Sequence, residues 1–222
     1  AILLVLPLGI CSVGGPAYAG QETAAQTEAQ GIGRYYYEQL PDEAKGLYDA
    51  MYKMYEQGIF KTGTGEYDLV ANGHVTQEQL EGYSCGNMTL LSYMGAARDA
   101  FYADYPEIFY VDFSMLTLRV TQKSGTYCAS LGPGRKDNYF AYGFSSQEDV
   151  EAALAEYDGR MDEILKGAEK VTQDDGKSIE QQKVKFAHNE IIWHTSYRME
   201  NTCAQGNGGH IRTAYGALVK GE

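Results

Sequence analysis

The spacing of apolar residues predicts three helices in the first half of the fold. The first opens at Leu40-Pro41-Asp42-Glu43 and ends at Gly58, the second opens at Thr76-Gln77-Glu78-Gln79, and the third runs from Asn87 to Ala103. Tyr105-Pro106 ends the third helix, because the residue before a proline disfavours helical backbone. The residues expected to face the core at helical spacing are Leu47, Met51 and Met54 in the first helix, and Leu90, Leu91, Met94, Ala97 and Phe101 in the third.

The pattern then changes to alternating or continuous apolar residues, which is typical of strands. Three such runs cover Phe113 to Val120, Thr126 to Leu131 and Asn138 to Phe144. Gly125 and Gly132-Pro133-Gly134 separate them. We therefore predict an antiparallel three-stranded meander.

Two longer helices are predicted to follow the strands. Ser145-x-x-Glu148 reads as a capping box that opens the first, and Ser178-x-x-Gln181 opens the second, which continues to about Tyr197. The first helix has a single apolar stripe, which predicts that it lies on the surface of the core. The stripe consists of Val150, Leu154, Tyr157, Met161 and Leu165. The second helix has two apolar faces, which predicts a central position; they carry Val184, Ala187 and Ile191, and Ile179, Phe186 and Trp193.

The first residues read as the remnant of an export signal. An apolar, uncharged run leads through Gly14-Gly15-Pro16 to Ala17-Tyr18-Ala19, which matches a signal core and a cleavage site of small residues. A membrane span is the alternative, but the Gly14-Gly15-Pro16 interruption comes too early for one. We therefore predict a secreted or cell-surface α+β protein with a signal remnant at 1–19, a flexible spacer at 20–33, an N-terminal α+β region at 34–170 and a further unit beginning at 171–222.

Composition narrows the classes of partner. The chain has 30 acidic and 18 basic side chains and a formal net charge of −12. This charge repels phosphate backbones and anionic lipids, so neither a nucleic-acid partner nor a membrane partner after signal removal is expected.

Four cysteines are present, and Cys11 would leave with the signal. Cys85, Cys128 and Cys203 remain, so export permits a disulfide but leaves one thiol unpaired, and the sequence leaves the pairing open. None of them has a C-x-x-C partner, which argues against a zinc site built on thiolates.

The remaining motifs do not make a complete site. Gly176-Lys177-Ser178 lacks the earlier glycine and the strand of a phosphate loop, and His188 and His194 are six residues apart instead of the three or four that a helical metal pair needs. Gly206-Asn207-Gly208-Gly209-His210 reads as a loop. Cys85 lies near a helix start, but no histidine is linked to it. We therefore predict no catalytic, cofactor-binding or metal-binding residue and no cofactor.

Tyrosines are numerous, and Tyr35-Tyr36-Tyr37 form a cluster. Such side chains stack on sugars or cover a protein partner in some proteins, and in others they line the rim of a core.

Several sequence blocks, taken in order, carry a resemblance to a known family. They are Tyr37-Glu38-Gln39-Leu40 through Asp49-Ala50-Met51-Tyr52, Val75-Thr76-Gln77-Glu78, Asp104 to Asp112, Lys183 to Ile192 with Thr195-Ser196-Tyr197, and Thr213 to Glu222. In these blocks the chain resembles secreted bacterial proteins with a transglutaminase-like domain behind a helical and stranded N-terminal region. It has His188-Asn189-Glu190 where that family usually has His-Asp-Trp.

The resemblance implies a papain-like core whose opening helix contains residues 183–192. It also implies a nucleophilic cysteine at a helix start soon after the last block, with histidine and aspartate later, so none of the three lies within residues 1–222. The expected activity of the parent protein is cysteine hydrolase or acyltransferase chemistry on a protein or peptide substrate, with cell-wall association and oligomeric state left open. The chain itself is expected to be inactive. The alternative is a non-catalytic cell-surface module that binds cell-wall glycan or protein.

Overall fold

The structure is a computed structural model that describes residues 34–134, 137–172, 176, 178–195 and 213–221. The predicted signal remnant at 1–19 and the predicted spacer at 20–33 lie outside these residues. So do Lys177, Cys203 and the loop Gly206 to His210.

The mixed helical and stranded fold is confirmed. Six helices are described: α1 (Asp42–Glu56), α2 (Ile59–Thr62), α3 (Gln77–Ser84), α4 (Thr89–Asp104), α5 (Gln147–Glu169) and α6 (Ile179–His194). A single turn of π-helix, Gly216–Lys220, follows. Each of the five longer helices corresponds to a helix predicted from the sequence.

Local capping explains why several helices begin where they do. Thr76 with Gln79, and Ser178 with Gln181, form the two reciprocal capping boxes that the sequence predicts. The box that opens α5 is one residue later than predicted, because Ser146 pairs with Asp149 instead of Ser145 with Glu148. The Asp149 carboxylate also accepts the Ser145 hydroxyl at 2.6 Å, so both serines hold the same acid.

The sheet is antiparallel with three strands, but the predicted third strand is wrong. Strand β1 (Tyr67–Asp68) pairs with β3 (Thr126–Pro133), which also pairs with β2 (Leu116–Lys123), in the order β1-β3-β2. Residues 138–144 contribute only the isolated bridge between Val111 and Phe140. The Asn138 side chain accepts the Phe140 amide at 3.1 Å, and this local bond takes a backbone donor that a strand would need.

The β2–β3 hairpin has the turn that its sequence favours. Ser124 and Gly125 connect the strands, and both have positive φ, at 52° and 83°. Such two-residue turns match the right-handed twist of paired strands. The start of the predicted first strand, Phe113–Met115, is instead a 3-10 turn, since the Asp112 side chain accepts the Ser114 amide at 3.0 Å.

The core lies where α1 packs on α4 beside the sheet and α5. Its largest fully buried side chains include Tyr48, Phe60, Phe101, Phe109, Tyr110 and Tyr139. The predicted inward face of α4 is confirmed except at Leu91, which is exposed. Ala187, Tyr215 and Leu218 belong to the same continuous cluster of buried residues, so the last described segment packs on this core.

Within the described residues, α6 does not take the central position that its two apolar faces predict. Ala187 is its only buried residue, while Val184, Ile192 and Trp193 are exposed. The helix lies against α5, where the Phe186 ring occupies the space above Gly167; a Cβ built on Gly167 would come within 2.5 Å of that ring. Helix α5 lies on the surface of the core, as its single stripe predicts. Within the part of the chain that the structure describes, no helix is both long and apolar enough to cross a membrane.

Candidate functional site

The described cysteines do not form a nucleophilic site. Cys85 follows the last residue of α3 and is exposed, and Cys128 lies half-buried in β3. Both are free thiols, and neither forms a hydrogen bond to a described histidine. Neither therefore has the base that would activate it.

The histidines of α6 do not form a metal site either. His188 and His194 are both exposed, and the described residues contain no group of three or more His, Cys, Asp or Glu that could hold a metal ion. Gly176 has a left-handed backbone with φ of 91°, and Ser178 serves as the N-cap of α6. In the described residues Ser178 is thus a helix cap.

The structure does bring together the last two blocks of the family resemblance. The Thr195 hydroxyl, directly after α6, lies 3.2 Å from the Ala217 carbonyl oxygen and 2.7 Å from that of Ile191. Nε2 of His194 lies 3.4 Å from the Val219 carbonyl oxygen. We call this contact between the end of α6 and residues 213–221 the C-terminal junction.

Tyr215 fixes the C-terminal junction to the core. Its ring stacks on Phe109, with centroids 4.6 Å apart and an interplanar angle of 13°. Its hydroxyl donates a 2.7 Å hydrogen bond to Glu156 on α5, and Lys220 reaches the same carboxylate at 3.2 Å. These hydrogen bonds, first from Tyr215 and then from Lys220, lower the pKa of Glu156.

Glu190, one of the residues that departs from the family pattern, has a partner on the neighbouring helix. Its Oε2 lies 3.4 Å from Nη2 of Arg160 on α5, and Nη1 of Arg160 pairs with Glu163 at 3.0 Å. The acid at position 190 therefore helps to hold α6 against α5.

An apolar surface remains beside the C-terminal junction. Trp193 is 82% exposed and Ile192 is 52% exposed, in the last turn of α6. These two side chains leave apolar area uncovered at this end of α6 in the described residues.

A second region of interest was missed by sequence reasoning. Glu107 lies in the 3-10 turn Pro106–Ile108 and lines a cleft of about 340 Å³ together with Tyr110 and residues of α1, α2 and α5. Burial raises the pKa of the Glu107 carboxyl. The signal that could have found it is an acid within the aromatic run Tyr105-Pro106-Glu107-Ile108-Phe109-Tyr110.

No protein-family model, no curated protein and no solved structure matches the chain.

Proposed function

We propose that this chain forms the N-terminal region and the opening core helix of a secreted, transglutaminase-like cysteine hydrolase or acyltransferase that acts on peptide or amide bonds. The family resemblance of residues 183–192 and 213–221 suggests this function. The observation that carries the proposal is the C-terminal junction, since these two blocks contact each other at Thr195 and Ala217, 3.2 Å apart.

The proposed chemistry proceeds through a thioester. A thiolate beyond Glu222 attacks the amide carbonyl carbon, the C–N bond breaks, and the amine leaves with a proton supplied by histidine. Water or a second amine then releases the acyl group from sulfur. A cysteine at a helix start suits this step, because the helix dipole lowers the pKa of a thiol.

The role of the present residues in this proposal is to hold the chain that leads to the nucleophile. Tyr215 stacks on Phe109, and Gly221 lies under the His194 carbonyl oxygen, where a Cβ would come within 2.6 Å. Residues that follow Gly221 would thus begin from a fixed point at the end of α6. The exposed Ile192 and Trp193 would be covered by the rest of the core.

The coding sequence beyond Glu222 gives a direct test. A cysteine within a few codons, with histidine and aspartate further on, is the expected result. A stop codon, or serine or alanine in place of the cysteine, would contradict the proposal.

Thiol alkylation of the full-length natural protein gives a second test. We expect iodoacetamide to modify a cysteine beyond Glu222 and to abolish hydrolysis or transfer of a peptide amide, while Cys85→Ser leaves that activity unchanged. If peptide mapping finds modification only at Cys85, Cys128 or Cys203, the proposed cysteine-dependent activity is contradicted.

Trp193 reports on the proposed core, because it is the single tryptophan of the chain. In residues 1–222 its fluorescence should be readily quenched by acrylamide. In the full-length protein we expect a blue-shifted emission and protection from the quencher. Equal quenching in both proteins would show that nothing covers the end of α6.

A second candidate function is a non-catalytic module that binds cell-wall glycan or protein. Tyr35 and Tyr36 favour it, since both are exposed and their rings meet edge to face with centroids 5.2 Å apart. Tyr37 is instead tied to the fold, because its hydroxyl donates to Asp49 at 3.2 Å. Sedimentation with purified cell wall, lost in a Tyr35→Ser/Tyr36→Ser double variant and retained in Tyr142→Ser, would support this function.

A further inference from the structure

The cleft beside Glu107 is built by four parts of the chain. Tyr55 of α1, Lys61 of α2 and the turn with Glu107 form one side, and Tyr110 follows that turn. Helix α5 forms the other side, with Glu151, Leu154, Ala155 and Asp158. We call this feature the Glu107 cleft. None of the residues that form the C-terminal junction lines the cleft, although Ala155 of the cleft directly precedes Glu156, so binding at the cleft is tested separately from the proposed enzyme activity.

Only one of the two oxygens of the Glu107 carboxyl has a hydrogen-bond partner. The Tyr55 hydroxyl donates to Oε1 at 3.2 Å, which fixes the orientation of the group. Oε2 is buried and has no hydrogen-bond partner. No described lysine or arginine forms an ion pair with Glu107, although Lys61 also lines the cleft.

Tyr110 supplies a second unused polar group. Its side chain is completely buried and its hydroxyl has no partner. The Tyr157 hydroxyl of α5 is also buried without a partner, but Tyr157 does not line the cleft. Buried polar atoms are nearly always hydrogen-bonded, so the unpartnered Glu107 and Tyr110 oxygens are the groups beside this cleft that a ligand or a bound water would satisfy.

The charge and shape of the cleft define that ligand. Three acids, Glu107, Glu151 and Asp158, outnumber the single base Lys61. Leu154 and Ala155 offer an apolar wall, and the tyrosine rings offer faces that attract cations. The described residues contain no group of three or more His, Cys, Asp or Glu that could hold a metal ion, so the acids of the cleft suit an organic cation better than a metal.

We propose that the Glu107 cleft binds an alkyl primary ammonium group, of the kind that a lysine side chain carries. The ammonium donates to Glu107 Oε2 and to the Tyr110 hydroxyl oxygen. Its methylene chain lies along Leu154 and Ala155. Two of the three donors of an ammonium meet these two acceptors, and the apolar wall matches the chain that bears the ammonium.

Titration calorimetry of the 222-residue chain at neutral pH, with Nα-acetyl-lysine amide as the probe, tests the proposal. Saturable millimolar binding is expected, with no binding of Nα-acetyl-norleucine amide, which has the same chain without the charge. Glu107→Gln should weaken binding by about tenfold, because a charge-assisted hydrogen bond is lost. Tyr110→Phe should weaken it by about threefold, the effect of one neutral hydrogen bond.

Glu81→Gln is the matched control, since Glu81 is an exposed acid of α3 outside the cleft, and it should leave the affinity unchanged. Thermal unfolding of Glu107→Gln separates lost binding from lost folding, because this variant is expected to be at least as stable as the wild type. Three results would overturn the proposal: no binding of the lysine probe, equal binding of the norleucine probe, or an unchanged affinity in Glu107→Gln. Binding of N-acetylglucosamine in place of the lysine probe would also overturn it and would assign the cleft to a neutral polyol.

Discussion

The Tyr48 hydroxyl donates a 2.8 Å hydrogen bond to Oδ2 of Asp104, and this contact joins α1 to α4 inside the core. Asp104 is 1% exposed and is the only charged residue in the core of the described chain. It also accepts the backbone amides of Tyr36 at 3.0 Å and Tyr37 at 3.1 Å. One carboxyl therefore holds the N-terminal turn and both helices.

Asp104→Ala should destabilise the protein strongly, because it leaves two backbone amides and a buried hydroxyl without an acceptor. We expect a loss of about 3–5 kcal/mol in the free energy of unfolding, measured with denaturant. Asp99→Ala on the exposed face of the same helix should change it by less than about 0.5 kcal/mol. Equal effects at the two positions would exclude the anchoring role of Asp104.

Gly46→Ala and Gly95→Ala should have opposite effects, although both glycines lie inside helices. A Cβ at Gly46 would come within 2.5 Å of the His74 carbonyl oxygen, whereas one at Gly95 meets nothing within 4 Å. Gly95→Ala should stabilise the protein by up to about 1 kcal/mol through helix propensity, and Gly46→Ala should destabilise it. Stabilisation by both changes, in thermal unfolding, would show that the His74 loop does not pack on α1.

Glu107→Gln should raise the Tm at neutral pH. Burial raises the pKa of Glu107 above its ordinary value of 4.5, so the folded protein binds this proton more tightly than the unfolded chain does. The Glu107 carboxyl therefore stabilises the folded state below pH 4.5, where it is protonated. That stabilisation is lost as the pH rises through the pKa of Glu107 in the folded protein. The difference in Tm between variant and wild type should grow over that interval, and a constant difference would contradict the raised pKa.

His74 should make the protein less stable in acid. Burial lowers the pKa of His74 below its ordinary value of 6.5, and the Tyr67 hydroxyl lies 3.1 Å from its Nε2. The unfolded chain then takes up the proton first, so stability falls as the pH drops through 6.5 towards the folded pKa. Against His74→Gln, whose side chain does not titrate, the wild type should lose relative stability in this range when unfolding is followed by circular dichroism. A parallel pH profile for the two proteins would rule this out.

Gly221→Ala should release the C-terminal junction. Gly221 and Gly73 have similar left-handed backbones, with φ of 66° and 73°, but only Gly221 faces a close neighbour, the His194 carbonyl oxygen. Gly73→Ala should cost about 1–2 kcal/mol from backbone conformation alone. Gly221→Ala should in addition increase hydrogen exchange across residues 213–221. If hydrogen exchange of residues 213–221 is the same in Gly221→Ala as in the Gly73→Ala control, the close approach of Gly221 to His194 does not stabilise the C-terminal junction.

The features that are predicted best from the sequence are those that depend on residues close together in the chain. The Thr76 and Ser178 capping boxes depend on side chains three positions apart, and both were predicted with the correct partners. The box before α5 was misplaced by one residue because Ser145 and Ser146 both contact Asp149, and the sequence alone does not rank the two serines.

Features that depend on distant residues were harder to predict. Strand β1 has two residues, too few for a period-two pattern, and it exists because β3 offers it a free edge at Leu131 and Ser130. The apolar faces of α6 were recognised, but periodicity does not say what covers a face, and Trp193 is exposed. The Glu107 cleft was missed because its walls come from residues about 50 positions apart, such as Tyr55 and Glu107.

The stacking of Tyr215 on Phe109 has a mechanical consequence. Phe109 is fully buried, and Glu156 holds the Tyr215 hydroxyl from the neighbouring helix. Tension applied at Gly221 would therefore reach the aromatic interior through Tyr215 as well as the end of α6 through the C-terminal junction. A tether attached at this end would therefore load the buried core and not the surface helix alone.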